Sequence, residues 1–253
     1  MGKLSGKNAL VTGTSQGIGA AIARALIESG CNICMHYFHS SAEPEKMKEL
    51  AKSMDLKAIC VKTDLTVEED TINFVKEAAA FLGRFDILVN NSGGLVQRRY
   101  LKEFDAEYWN KVLDINLRTM MMVTREALPY LNRTGGASIV NIASLAGRAG
   151  GHPGSLLYAT SKGAVLTWSR ALSRELAPEG IRVNAIAPGF IEGTAFHDTF
   201  TTKESALNTI KNIPLGRAGR PEDVARATVF LASEYDGFIT GETLDINGGV
   251  YCA

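Results

Sequence analysis

The sequence predicts an α/β fold: a doubly wound, parallel, seven-stranded sheet with helices on both faces, spanning residues 1–253 as a single domain. Three observations carry that prediction. Apolar runs of strand length alternate with longer segments of helical period, the pattern of successive β–α units. A glycine-rich turn joins the first apolar run to the first helical segment, as a nucleotide-binding β–α unit requires. Short polar clusters follow the later strands, and a parallel sheet gathers those positions at the edge where ligands bind.

The first strand, Ala9–Val11, runs into Thr12-Gly13-Thr14-Ser15-Gln16-Gly17-Ile18-Gly19 and a helix over 18–29. Glycines at 13, 17 and 19 permit a tight turn and close backbone approach, and a helix N-terminus offers free N–H groups to a pyrophosphate. The second strand is Ile33–Tyr37. An acid at its end would grip the ribose 2′-hydroxyl of NAD, but the chain reads Tyr37-Phe38-His39-Ser40-Ser41, with neither acid nor arginine. This leans toward NADP, with His39 and the hydroxyls toward the 2′-phosphate; Ser40 and Ser41 could equally cap the next helix, 44–54. Cys31, Cys34, His36 and His39 share a segment that superficially resembles a zinc cluster, yet along a strand Cys31 and His39 would stand roughly 26 Å apart. No metal is expected, and the four cysteines are read as reduced thiols.

The third strand, Ala58–Val61, leads to Asp64-Leu65, where Asp64 either meets an adenine or caps the helix over 68–82. Ile87–Val89 is followed by Asn90-Asn91-Ser92-Gly93-Gly94, a turn or a ligand-binding loop. A helix over 106–132 carries Asn116 in its middle, and Ser138–Ile142 then leads to Ser144. In the next helix, 156–177, Tyr158 and Lys162 are four residues apart, so their side chains lie one turn apart on the same face. An ammonium beside a phenol favours the phenolate, and bringing a phenol of pKa ~10 toward neutrality is what general acid–base catalysis requires. Strands Arg182–Ile186 and Thr243–Ile246 flank a helix over 222–232, which Pro221 and two acids open.

Of the 253 residues 45% are hydrophobic and 21% charged, and 27 basic side chains balance 27 acidic ones, so net charge points to neither nucleic acid nor an anionic membrane. No apolar run approaches the ~20 residues that span a bilayer. The opening Met1-Gly2-Lys3-Leu4-Ser5-Gly6 resembles neither a signal peptide nor a myristoylation site, and a cytoplasmic protein is expected.

Taken in order, Thr12-Gly13-x-x-x-Gly17-Ile18-Gly19, Asp64, Asn90-Asn91-Ser92-Gly93, Asn116, Ser144, Tyr158-x-x-x-Lys162, Pro188-Gly189 and Thr240-Gly241…Asn247-Gly248-Gly249 resemble the short-chain dehydrogenase/reductases. The likeness covers essentially the whole chain and lies nearest the 3-oxoacyl-carrier-protein reductase and sugar-dehydrogenase-like branch. It implies a Rossmann-like fold and an NAD(P)-dependent oxidoreductase moving a hydride between nicotinamide and a ketone or secondary alcohol. Tyr158 would exchange the proton, Lys162 would tune it and hold the ribose, Ser144 would bind the substrate oxygen, and Asn116 would hold a relay water. The cofactor would lie against Gly13, Ser15, Gln16, Gly17, Ile18 and Gly19, then Tyr37, His39 and Ser40, then Asp64, Leu65, Asn91 and Gly93, and finally Pro188, Gly189, Ile191 and Thr194. NADP(H) is favoured over NAD(H). A homotetramer joined through the 106–132 and 156–177 helices is also implied.

The likeness leaves the substrate open. Ser92 stands where alanine is usual, and the stretch between Ser144 and Tyr158 is slightly longer than is common. Residues 190–213 are the expected lid, and Arg98, Arg99, Arg148, His152 and His197 could together bind an anionic keto acid or sugar-derived substrate, with solvated loop arginines as the alternative reading of the first two. Two other functions stand beside this one. The first is a 3-oxoacyl-carrier-protein reductase of fatty-acid synthesis, although Glu175 and Glu179 leave little basic surface for an acidic carrier. The second is a catalytically silent nucleotide-sensing or scaffold protein of the same fold.

Overall fold

A computed structural model of the chain describes residues 4–134, 136–194, 199–200, 202–233 and 237–252. Seven strands form one parallel sheet: β1 (Asn8–Val11), β2 (Asn32–Tyr37), β3 (Ala58–Lys62), β4 (Ile87–Asn90), β5 (Ala137–Ile142), β6 (Ile181–Pro188) and β7 (Thr243–Ile246). Their order is β3-β2-β1-β4-β5-β6-β7. The chain builds outward from β1 to β3, then returns to place β4 on the other side of β1, with Ala9 opposite Ile87 and Val11 opposite Val89. At such a reversal the connections leave β1 and β4 in opposite directions, and a crevice opens beyond the strand ends.

Strand alternation explains the two helical layers. Ala9, Val11, Ile33, Met35, Ile87 and Val89 point to one face, where they pack with α1 (Gly17–Glu28), α2 (Ala42–Ser53) and α9 (Pro221–Ala232). Leu10, Cys34 and Leu88 point to the other, against α3 (Glu68–Leu82), α5 (Thr119–Ala127) and α7 (Leu156–Leu176). All nine of these strand side chains are essentially inaccessible, and fully burying one aliphatic side chain contributes roughly 1.5–3 kcal/mol. Cys31 and Cys34 fall in different layers.

The helix expected over 106–132 is not continuous. Asp105 caps α4 (Ala106–Leu113) by accepting from the Tyr108 N–H at 2.7 Å. A π-helical segment, Asp114–Arg118, then precedes α5, and Leu128–Tyr130 ends in a 3-10 turn. Pro129 explains that end, because it lacks the N–H a continuing helix needs. The π segment widens the helix at Asn116, a placement common at functional sites. Two helices stand over the strand ends: the short α6 (Ala146–Ala149), and α8 (Lys203–Lys211) within the expected lid, whose residues 195–198 and 201 lie outside the described residues. No helix among the described residues is long and apolar enough to cross a membrane.

Candidate active site

The loop after β1 is clamped to the loop after β4. Thr12 Oγ1 accepts from the N–H groups of Asn91 (3.0 Å) and Ser92 (3.1 Å), and Asn91 Nδ2 donates to the carbonyls of Thr12 (3.0 Å) and Gly13 (2.9 Å). Helix α1 approaches this clamp so closely that a Cβ on Gly19 would stand 2.0 Å from the Gly13 carbonyl oxygen. Only glycine fits there. The first turn of α1 carries neither an acid nor a side-chain cap, so its N–H groups remain free for a phosphate.

A histidine that sequence reasoning treated only as part of a false metal cluster braces this loop. The Gly13 N–H donates to His36 Nδ1 at 3.0 Å, and His36 Nε2 lies 3.0 Å from the Thr63 carbonyl. An amide can only donate and a carbonyl only accept, so the ring is neutral with its proton on Nε2. Burial holds its pKa down at about 4. The available signal was a polar side chain at an inward-facing position of an otherwise apolar strand.

Around the catalytic candidates, Tyr158 is 8% exposed and Lys162 4%. Lys162 Nζ donates to the Ile142 carbonyl at 2.9 Å and lies 5.9 Å from the Tyr158 ring centroid. Ser144 hydrogen-bonds the Tyr158 phenol, and its Oγ also accepts from the Ala146 N–H at 3.1 Å. Burial raises the Tyr158 pKa, with the Ser144 bond working against it, and burial lowers Lys162 to about 8. The direction of the Tyr158 shift is opposite to the one a neighbouring ammonium alone would give, because desolvation penalises the charged form of a buried phenol. Asn116 Nδ2 donates to the carbonyls of Gly94 (2.8 Å) and Val112 (3.0 Å), while its Oδ1 accepts from the Gly94 N–H at 2.9 Å. At Gly93, with φ +152°, a Cβ would lie 2.8 Å from Asn116 Oδ1 and 3.2 Å from Lys162 Nζ, so this turn brings the two polar groups together.

One cavity of about 1710 Å³ joins these parts, large enough for a dinucleotide and a small substrate together. Of the predicted residues, Gly13, Ser15, Gln16, Gly17, Ile18, Gly19, His39, Asp64, Leu65, Asn91 and Gly93 line it. So do Ser144, Tyr158, Lys162, Pro188, Gly189, Ile191, Thr194, Arg98 and His152. Asn116 sits just behind the wall. Tyr37 and Ser40 are not in the lining: Tyr37 pairs with Lys62 in the sheet, and Ser40 Oγ accepts from the Ala42 N–H at 3.3 Å, as a helix cap does. Asp64 Oδ1 takes bonds from Thr66 N (2.9 Å) and Oγ1 (2.6 Å), which leaves Oδ2 for a ligand.

Of the expected cation cradle, Arg98 and His152 line the cavity, and two other described members are drawn elsewhere. Arg99 turns to Asp105 at 3.0 Å and stacks over Tyr108, while Arg148 pairs with Asp245 at 3.1 Å. Arg98 remains at the cavity, where it donates to the carbonyls of Pro153 (3.0 Å) and Phe200 (3.3 Å). His197 lies outside the described residues.

A glycine-lined phosphate loop at the reversal of a doubly wound sheet, opening onto buried Tyr158 and Lys162 with Ser144 beside them, defines a dinucleotide-dependent oxidoreductase. Residues 13–251 match the family model described as enoyl-(acyl carrier protein) reductase. The 3-oxoacyl-(acyl-carrier-protein) reductase of Staphylococcus aureus is 36% identical over 248 residues, covering 97% of this chain and 98% of that one. Among solved structures, a blue fluorescent protein from a metagenomic library in complex with NADPH superposes with a TM-score of 0.90 at 30% identity, covering 99% and 100% of the two chains. An NADH-dependent reductase responsible for alginate metabolism superposes at 0.89 and 31%, covering 99% of each. The chain belongs to the short-chain dehydrogenase/reductase family, and it is an NAD(P)-dependent oxidoreductase of the class that interconverts CH–OH and C=O.

Proposed function

We propose that the protein reduces, or forms by the reverse reaction, a small free carbonyl compound, with NADP(H) preferred over NAD(H). The observation that carries this reading is the continuity of the cavity from the Gly13–Gly19 loop to Ser144, Tyr158 and Lys162. The nicotinamide, when bound, supplies or takes the hydride. In reduction the Tyr158 phenol gives its proton to the carbonyl oxygen, and the burial that raises its pKa keeps that proton in place beforehand. Ser144 donates to the same oxygen as negative charge gathers there. Lys162, charged below about pH 8, favours the phenolate left behind and would hold the ribose hydroxyls of a bound cofactor. Asn116 holds the Gly93–Gly94 turn and stands where a water could carry the proton onward. The described residues Phe190, Phe200 and Ser205 wall the cavity within the expected lid, and the exposed Trp109 on α4 and Leu156 on α7 support a homotetramer joined through these helices.

A carrier-bound acyl substrate is the second reading, motivated by the staphylococcal relative. It is disfavoured because Arg133, the cation nearest the expected docking face, is held by Glu179 at 2.7 Å. The test is turnover of a carbonyl panel, including a 3-oxoacyl carrier, with each reduced nicotinamide. Free ketones should be reduced, faster with NADPH, and Tyr158→Phe should lose turnover while retaining cofactor binding. Cofactor binding without turnover of any carbonyl would support the silent-scaffold alternative instead.

A further inference from the structure

We infer that the substrate is polyhydroxylated, a sugar-type carbonyl compound rather than an alkyl or acyl one. This rests on the oxidoreductase reading above and names the substrate class for that same site. The observation is the face that α8 turns to the cavity. Ser205, Asn208, Thr209 and Asn212 line it, at spacings of three, one and three residues. At ~100° per residue these four fall within one arc of about 100°. The apolar residues of the same helix, Ala206, Leu207 and Ile210, lie outside the lining, and Leu207 is 61% exposed. The usual amphipathic arrangement is inverted: the helix offers hydrogen-bonding groups to the cavity and its leucine to solvent.

The state of those groups matters as much as their position. Thr209 Oγ1 donates to the Ser205 carbonyl at 2.8 Å and Asn212 Nδ2 to the Asn208 carbonyl at 2.9 Å. These local bonds leave the Thr209 lone pairs and the Asn212 Oδ1 free as acceptors toward the cavity. The Ser205 hydroxyl and the Asn208 amide have no partner within the described residues, so the stripe presents donors as well as acceptors. An alkyl chain laid against it would strip water from these groups and return nothing, at a cost of roughly tenfold or more in affinity per unreplaced bond. Hydroxyls on successive carbons return hydrogen bonds to such groups, which an alkyl chain does not. Glu204 lines the same wall beside Ser205, so the stripe favours hydroxyls over a carboxylate.

The test compares substrates that share a carbon skeleton. Fructose, tagatose, sorbose and psicose are hydroxylated forms of 2-hexanone, and each is offered with NADPH and with NADH, alongside 2-hexanone itself. At least one ketohexose should show a kcat/KM about tenfold or more above that of 2-hexanone. In Ser205→Ala/Asn208→Leu that ratio should fall by about tenfold, whereas Leu207→Ala, on the outward face, should leave the ratio as it is. All of these positions are half-buried or exposed, and melting curves verify that each variant is folded. A 2-hexanone rate equal to or above every ketohexose, or a ratio that Ser205→Ala/Asn208→Leu does not move, overturns the inference. Reduction of no carbonyl at all by a protein that binds the cofactor overturns the oxidoreductase reading itself, which is a separate result.

Discussion

Lys162 donates to a backbone carbonyl and is almost wholly buried, and among the described residues no carboxylate pairs with it. Its pKa falls from 10.5 to about 8, so below pH 8 the folded and unfolded chains both carry the charge and the folded one bears the whole desolvation cost, about 3 kcal/mol. Between pH 8 and 10.5 the folded chain sheds the proton first, and stability rises with pH. Lys162→Met should therefore be inactive, and its stability relative to wild type should be most favourable below pH 8 and decline toward pH 10.5 in denaturant titrations. A difference independent of pH would contradict this. His36 titrates at the acid end. Its pKa is depressed from 6.5 to about 4, so as pH falls through that window the unfolded chain protonates first and about 3 kcal/mol of stability is lost. His36→Asn should flatten that slope and weaken cofactor binding, because the Gly13 N–H loses its imidazole acceptor. The motif residues were legible in the sequence because each has a distinctive type at a distinctive spacing. The arginines were not. Arg98 and Arg99 are adjacent, but one reaches carbonyls at the cavity wall while the other is drawn to Asp105, a choice made by tertiary partners that residue type does not encode.

Among the elements, the strands follow the expected segments within two residues at each end, because short continuous apolar runs mark strands buried on both faces. The interruption of the 106–132 helix was not legible, since a π turn changes which residues share a face without changing their types. Its consequence is local: it seats Asn116 against the Gly93–Gly94 turn, with bonds to both the N–H and the carbonyl of Gly94. Asn116→Ala would leave that N–H and carbonyl without these partners, at a cost of about 1–3 kcal/mol. The melting temperature should drop by roughly 2–4 °C per kcal/mol, and kcat should fall more than KM rises. An unchanged kcat would remove Asn116 from the catalytic group and leave it a purely structural brace. The helix α8 was expected only as part of a lid, because its chemistry emerges when the fold shows which of its faces meets the cavity.

For the molecule as a whole, β–α alternation predicts the parallel sheet, and the reversal beside β1 places both the phosphate loop and the Asn91 clamp at one crevice. What alternation does not set is the surface at the far end of that crevice, where Phe38 and His39 meet ring to ring at 4.6 Å, both at the cavity. Neither carries a negative charge that would repel a 2′-phosphate, and Asp64, a carboxylate lining the same cavity, already serves Thr66 through one oxygen. Ligand binding to the folded chain raises stability by about 2.7 kcal/mol at a hundred times Kd, and each tenfold in Kd adds about 1.4 kcal/mol. At equal concentrations NADPH should therefore raise the melting temperature more than NADH. His39→Asp should reverse that order, because its carboxylate repels the phosphate and can accept from a free 2′-hydroxyl. Equal shifts in the wild-type protein would sink the NADP preference. Retention of the wild-type order in His39→Asp would instead place the 2′-position away from the end of β2.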